Sequence, residues 1–226
     1  MRNVGFLTIG QAPRPDLSAG IEAALPGTAR VRHAGVLDGP DPARSAERLA
    51  AVPGRPTLIT RLAAGVTGTL DEAAVGEVLQ ERVDALEGEG VDTVVLLCTG
   101  EFPALRTRRA LLVEPDALLT AYVRGVLDGV PVGVVVPLPE QVAAARDKWR
   151  GIAPTPEFAT ASPYAPDETE LLGAARELLD RGAAALVLDC MGYADRHWEA
   201  LRAGGVRVPV LTSSGVTGAM TGPLLA

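Results

Sequence analysis

Short apolar runs alternate along the chain with longer stretches whose apolar positions recur every three or four residues, the pattern of strands and helices in turn. Residues 4–9, Val-Gly-Phe-Leu-Thr-Ile, form the first strand, closed by Gly10. The segment Gln11-Ala-Pro-Arg-Pro-Asp16 is a stiff turn into a helix over 17–25, with Pro15 pre-setting the backbone at its start. A second strand is predicted over 31–37, a helical piece over 43–50 and a strand-like run over 57–62. Residues 71–87 read as a strong helix with Asp71 as N-cap, and 91–98 as the strand that carries Cys98. Helix 114–127, strand 132–136, helix 140–150, a weak strand at 157–160 and helix 167–181 follow. Strand 184–189, helix 195–203, strand 208–212 and a helix over 216–225 complete the pattern. Such alternation gives parallel sheets with right-handed crossovers. Ligands of these sheets bind beyond the carboxyl ends of the strands. Both cysteines, residues 11–14 and residues 212–214 fall at such ends.

The pattern is duplicated. Val94-Val-Leu-Leu-Cys98-Thr-Gly100 aligns with Leu186-Val-Leu-Asp-Cys190-Met-Gly192 at an offset of 92 residues (190 − 98). The same offset pairs Leu79 with Leu171, Leu86 with Leu178 and Gly90 with Gly182. The strand at 132–136 echoes the one at 4–9 and opens the second half. If the two α/β halves face each other, one thiol approaches a shared cleft from each side. That arrangement can take a proton from one face of a carbon and return it to the other.

Composition narrows the possibilities. The chain has 226 residues, an apolar fraction of 47% and a net charge of −7, enough for two small packed domains. The acidic balance and the scattered Arg residues argue against nucleic acid as a partner. No apolar run reaches the ~20 residues of a membrane span, and the chain enters a strand at once. A cytoplasmic protein is expected. Two distant cysteines do not make a secreted disulfide framework.

Cys98 and Cys190 are the only cysteines, and each is followed by x-Gly. Glycine allows close backbone approach and positive φ, and the N–H groups of a tight turn favour a thiolate. Duplication alone could also preserve two cysteines that merely pack. Zinc is not indicated, since there is no Cys-x-x-Cys and His33 and His197 lack ligand spacing. Arg14 and Gln11, presented by a proline-stiffened loop, could hold a carboxylate or phosphate; alternatively Arg14 lies on the surface while Asp16 caps the helix. Arg61 is a second anchor. Ser213 and Ser214 stand before the last helix, where hydroxyls and N–H groups suit a carboxylate, or simply cap it. Thr99 and Tyr193 flank the thiol turns and could bond substrate alongside Gly100 and Gly192. Asp189 is expected on the opposite strand face from Cys190, paired with an Arg. His197 could orient the Cys190 thiol or lie on a helix surface.

On Thr8-Ile-Gly-Gln-Ala-Pro-Arg-Pro-Asp16, Leu97-Cys-Thr-Gly-Glu-Phe102 and Asp189-Cys-Met-Gly-Tyr193, the chain resembles the AroM family. Thr60-Arg-Leu62, Glu114-Pro115, Val132-Gly-Val-Val-Val-Pro137 and Lys148-Trp149 extend the likeness over nearly the whole length. More distantly it is similar to the aspartate/glutamate racemase superfamily, with its hydantoin racemases, maleate isomerases and arylmalonate decarboxylases. That resemblance implies two pseudo-symmetric α/β domains, each a parallel sheet flanked by helices, with the site in the cleft between them. Members with two cysteines use no cofactor, and Cys98 and Cys190 match their thiol positions. Racemases commonly carry Asn-Thr or Thr-His after their cysteines, where this chain has Thr-Gly and Met-Gly.

The expected first domain spans 1–113 with 210–226, and the second 114–209. The expected activity is cofactor-independent proton transfer on a small carboxylate-bearing metabolite, as a racemase, epimerase or isomerase; decarboxylase or lyase chemistry is a close variant. A non-catalytic metabolite-binding protein of the same fold is the alternative, and a reversible-disulfide redox protein a third. Apolar helix surfaces in an Ala-rich chain also allow a homodimer.

Overall fold

The computed structural model describes residues 2–62 and 65–225. The chain divides into two compact units, 1–116 with 218–226 and 117–217.

In the first unit the strands β1 (Asn3–Thr8), β2 (Arg30–Gly35), β5 (Thr93–Leu96) and β6 (Leu111–Val113) form one sheet in the order β2-β1-β5-β6. All its pairings are parallel, with Leu7 opposite both Ala34 and Leu96. A separate antiparallel hairpin joins β3 (Thr57–Arg61) to β4 (Thr67–Asp71). The helices are α1 (Pro15–Ala23), α2 (Pro42–Arg48) and α3 (Glu72–Gly88). Asp71 caps α3 by accepting from the Ala74 N–H at 2.9 Å. Val75, Leu79, Val83 and Leu86 are the buried stripe of α3, packed with Leu7, Val94 and Leu96.

The second unit repeats the plan. Its strands are β7 (Val132–Val136), β8 (Glu157–Thr160), β9 (Ala185–Leu188) and β10 (Val210–Thr212), in the order β10-β9-β7-β8 and again parallel throughout. Read outward from the opening strand, both sheets place the second strand on one side and the cysteine strand, then the last strand, on the other. Helices α5 (Val142–Lys148), α6 (Thr169–Asp180) and α7 (Asp195–Ala203) belong to this unit. The two remaining helices, α4 (Pro115–Val126) and α8 (Ser213–Leu225), run through the chain positions where the units change over. Strands β7 and β9 are buried along their whole length, as the central strands of a parallel sheet covered on both faces must be. Val132, Val134 and Val136 point into one apolar cluster and Val135 into the other.

The duplication extends to single contacts. A Cβ on Gly5 would lie 3.1 Å from Leu86 Cδ1, and one on Gly133 would lie 2.9 Å from Leu178 Cβ. The leucines are 92 positions apart (178 − 86) and the glycines 128 (133 − 5), so the first half holds 36 more residues (128 − 92) before its cysteine strand. Helix α2 and the β3–β4 hairpin take up that surplus, while α7 is found only in the second unit.

Several assignments differ from the sequence reading. β10 hydrogen-bonds to β9, with Thr212 opposite Leu188, so residues 210–217 fall in the second unit and not with the first domain. Strands β4 and β6 were not anticipated: the first is a Thr/Gly-containing hairpin arm with one exposed face, the second a three-residue edge strand. Among the described residues, no helix is long and apolar enough to cross a membrane.

Candidate active site

Each cysteine follows the carboxyl end of the third strand in its sheet. The backbone holds both in the same way. Gly100 N–H points at Cys98 Sγ at 3.3 Å, and Gly192 N–H points at Cys190 Sγ at 3.4 Å. Cys98 is buried, Cys190 is half-buried, and neither is in a disulfide. The glycines serve by close approach, since neither has a positive φ. A Cβ on Gly100 would come within 2.8 Å of Leu58 Cδ2, 3.1 Å of Phe102 Cζ and 3.2 Å of Glu72 Oε2. A Cβ on Gly192 would meet Pro163 Cγ at 2.8 Å and the Tyr164 hydroxyl at 3.0 Å. Glu72 and Tyr164 are therefore polar neighbours of the two turns that sequence reasoning did not single out. Their distance along the chain hid them; the N-cap signal at Asp71 was the nearest clue for Glu72.

The first unit gathers Gln11, Arg14, Arg61, Cys98, Thr99 and Gly100 at the carboxyl ends of β1, β3 and β5. The loop after β1 is clamped by Asp38, whose carboxylate accepts from Ala12 N–H at 2.8 Å and Gly35 N–H at 2.7 Å. Gly35 is required there: a Cβ would lie 2.4 Å from the Gly10 carbonyl oxygen. The Arg14 guanidinium is buried and forked onto Asp16, Nε to Oδ1 at 2.8 Å and Nη2 to Oδ2 at 2.7 Å, with Nη1 donating to the Arg61 carbonyl at 3.4 Å. The carboxylate that Arg14 holds in this structure is thus its neighbour's. Hydrogen bonding and the charge of Arg14 outweigh burial and keep the Asp16 carboxyl below its usual range. Arg61 is exposed, with Nε donating to the Gly65 carbonyl at 3.2 Å. Gln11 and Thr99 are half-buried.

At the carboxyl end of β6, Glu114 is a further carboxyl that sequence reading had quoted only as part of a motif. Burial, reinforced by Asp116, raises it above its ordinary value against the opposing pull of Arg106.

The second unit gathers Cys190, Gly192, Tyr193, Ser213 and Ser214. The hydroxyls of Tyr193, Ser213 and Ser214 bond to the protein itself. The Tyr193 phenol is fully buried and donates to the Ala161 carbonyl at 2.5 Å, so the expected substrate contact is replaced by a core contact. Burial, with the neighbouring Cys190 and Asp189 charges, pushes that phenol well above its usual value. Ser213 donates to the Leu188 carbonyl at 3.0 Å and Ser214 to the Tyr193 carbonyl at 2.8 Å. Thr212 Oγ1, not a serine, accepts the Gly215 N–H at 3.1 Å at the start of α8.

His197 is neither on a surface nor directed at the thiol. It is 1% exposed, its Nδ1 accepts from Ala194 N–H at 2.9 Å, and its Nε2 faces the Pro163 carbonyl at 3.2 Å. Those contacts fit the neutral Nε2–H tautomer. Burial and Arg196 lower its pKa despite Glu168 nearby. Asp189, just past the end of β9, is buried and accepts from the Lys148 ammonium and the Trp149 indole, each at 2.8 Å.

Two α/β units with one strand order, each presenting a thiol on a glycine-backed turn, define a racemase-like fold. Solved structures agree. The chain is similar to an allantoin racemase from Klebsiella pneumoniae (16% identity, all of this chain and 88% of that one, TM-score 0.69). It is also similar to a double mutant of arylmalonate decarboxylase in its liganded form (14%, 100% and 92%, TM-score 0.62) and to a glutamate racemase from Aquifex pyrophilus (12%, 99% and 84%, TM-score 0.61). At such identities the likeness is one of fold. No curated protein matches the chain in sequence. The model of the family described as AroM protein matches residues 4–225, and the chain belongs to the AroM family.

Proposed function

We propose that this AroM family protein is a cofactor-independent isomerase-type enzyme that moves a proton on a small carboxylic acid through Cys98 and Cys190. The observation that carries the reading is the matched pair of turns, each aiming a glycine N–H at sulfur at 3.3 and 3.4 Å. An N–H directed at sulfur stabilises thiolate charge, and a thiolate is the competent base. One cysteine, as thiolate, takes the proton α to the carboxylate, and the other, as thiol, delivers one to the opposite face. The reading requires both thiols to reach one substrate carbon. Arg61 and the loop carrying Gln11 and Arg14 would receive the carboxylate, with Arg14 exchanging Asp16 for the substrate. Thr99, Gly100 and Gly192 would contact it through the thiol turns, and the backbone N–H groups of Ser213 and Ser214 would offset charge on the enediolate. From a substrate with two carboxyls on one carbon, loss of one as CO₂ leaves the same enediolate, which a thiol can protonate, so decarboxylation is a close variant of this mechanism.

A second reading has support of its own. With Arg14 forked onto Asp16 and the hydroxyls of Ser213 and Ser214 donating to backbone, a protein of this fold that binds a small acid without transforming it would need no reactive thiol. Exchange from ²H₂O into the α-position separates the two. A panel of amino, hydroxy and dicarboxylic acids is followed by NMR with the parent chain, Cys98→Ser and Cys190→Ser. Exchange in the parent that is lost in both variants is the expected result. No exchange across the panel, with both thiols slow to alkylate, leaves the binding protein.

A further inference from the structure

A buried carboxylate with two side-chain partners, which this chemistry leaves unused, stands one residue before the second thiol. Asp189 is 5% exposed and takes the Lys148 ammonium on one oxygen and the Trp149 indole N–H on the other, both at 2.8 Å. The Lys148 side chain is itself only 7% exposed. As a stabilising device such a pair is poor, because both ions lose their hydration and well-packed apolar side chains of similar volume do as well or better. At the matching position of the first unit, before Cys98, stands the buried Leu97 and no charged side chain. In the second half a buried ion pair stands against the thiol turn, where the first half has Leu97 before its cysteine and the Glu72 carboxylate across Gly100.

We infer that the Lys148–Asp189 pair positions and charge-balances Cys190. Asp189 ties the thiol turn to the end of α5, and Lys148 cancels a carboxylate charge that would otherwise oppose a thiolate on the next residue. This rests on the proposed role of Cys190 as a proton-carrying thiol. The other polar groups described beside the turn add little net charge. The Tyr164 hydroxyl lies against Gly192, and the Tyr193 phenol is kept neutral by burial. The Ser213 and Ser214 hydroxyls are uncharged. Glu168 is offset by Arg196 at 3.2 Å, with neutral His197 beside it, and Glu170 is exposed on α6.

Single charge changes should therefore move Cys190 in opposite directions. Lys148→Met removes a positive charge and shifts the ionisation of Cys190 to higher pH. Asp189→Asn removes a negative charge and shifts it to lower pH, and the double variant returns towards the parent. A unit charge within ~10 Å at an effective dielectric of about 30 is worth about a tenfold change in thiolate fraction.

The measurement is the rate of alkylation by uncharged iodoacetamide from acid to alkaline pH, in the full chain carrying Cys98→Ser so that Cys190 is the only thiol. Circular dichroism verifies the fold of each variant. Lys148→Arg, which keeps the charge, is expected to keep the parent profile. Opposite shifts for Lys148→Met and Asp189→Asn are the expected result. Shifts of one sign, or none beyond about 0.3 pH unit, overturn the inference and leave the pair as packing. Should Lys148→Met not fold, the isosteric Asp189→Asn decides alone, because an unmoved profile is equally fatal. No substrate is present, so this outcome is separate from the exchange experiment.

Discussion

Replacing Gly192 by alanine tests how the second thiol turn is built. The added Cβ would lie 2.8 Å from Pro163 Cγ, 3.1 Å from Pro163 Cβ and 3.0 Å from the Tyr164 hydroxyl. Carbon atoms pack best at about 3.5–4.0 Å, so the proline contact is too short by well over half an ångström. The Tyr164 hydroxyl can swing away at the end of its side chain. The Pro163 ring cannot, because it is part of the backbone, and its carbonyl accepts from Arg196 Nη2 at 2.6 Å and faces His197. Either the loop after β8 or the thiol turn must yield. Overpacking of this kind costs about 1–3 kcal/mol, and in a chain of this size each kcal/mol lowers Tm by about 2–4 °C. A turn that yields also draws the Gly192 N–H away from Cys190 Sγ, now 3.4 Å distant. A hydrogen bond to a charged group contributes about 1.5–3 kcal/mol, and losing half of it slows Cys190 alkylation about three- to tenfold. Gly100→Ala should be milder, since its closest contact, Leu58 Cδ2 at 2.8 Å, ends a flexible side chain. Gly173→Ala, in α6 with nothing within 4 Å, should gain about 0.5–1 kcal/mol from helix propensity alone. Calorimetry and iodoacetamide kinetics in the Cys98→Ser chain read both quantities. A Gly192→Ala protein as stable as the parent, with unchanged alkylation, refutes this account of the turn.

Two further outcomes follow from buried polar groups. The Glu87 carboxylate accepts the backbone N–H groups of Arg108, Arg109 and Ala110 at 2.7–3.1 Å, and these bonds hold it below its usual pKa against the effect of burial. A depressed folded-state pKa contributes stability above the unfolded value of about 4.5 that is lost as pH falls through the folded one. Glu87→Gln should therefore cost about 2–4 kcal/mol at neutral pH in urea denaturation, with the gap to the parent narrowing in acid; a gap independent of pH contradicts the assignment. Tyr193→Phe leaves the buried Ala161 carbonyl without its donor and should cost about 1–3 kcal/mol while α-proton exchange kinetics hold steady. A raised KM at unchanged stability would return Tyr193 to the substrate.

The repeat made most of the fold legible. Long helices with a periodic apolar stripe, such as α3 and α6, and uniformly apolar strands, such as β7 and β9, announce themselves because burial on one or both faces fixes their composition. What escaped is short or paid for by tertiary contacts: β4 gains its pairing from β3, and β6 is three residues at an edge. In the site, the thiol turns and their glycines could be found because they recur at one offset. Partners from remote segments could not. Nothing local links Asp189 to Lys148, Tyr164 to Gly192 or Glu72 to Gly100, although Lys148-Trp149 supplied two adjacent donors that a buried carboxylate could have claimed. The direction of a hydroxyl was not legible from residue type. Those of Tyr193, Ser213 and Ser214 have the chemistry to meet a substrate, and in this structure each donates to a backbone carbonyl.

The two turns share a backbone frame but not their surroundings, and that difference bears on the reaction. Cys98 follows Leu97 and has the Glu72 carboxylate across Gly100, whereas Cys190 follows a neutralised Asp189 and has the Tyr164 hydroxyl across Gly192. A racemase interconverts mirror-image substrates of equal free energy, so each thiol must serve as base in one direction and acid in the other. Near-equivalent surroundings favour that exchange of roles. Unequal charge and hydrogen bonding instead give the two thiols different proton affinities, which suits a reaction that runs mainly one way, with one sulfur as the standing base and the other as the standing acid. A comparison of Cys98→Ser with Cys190→Ser would express it as unequal loss of proton removal and proton delivery.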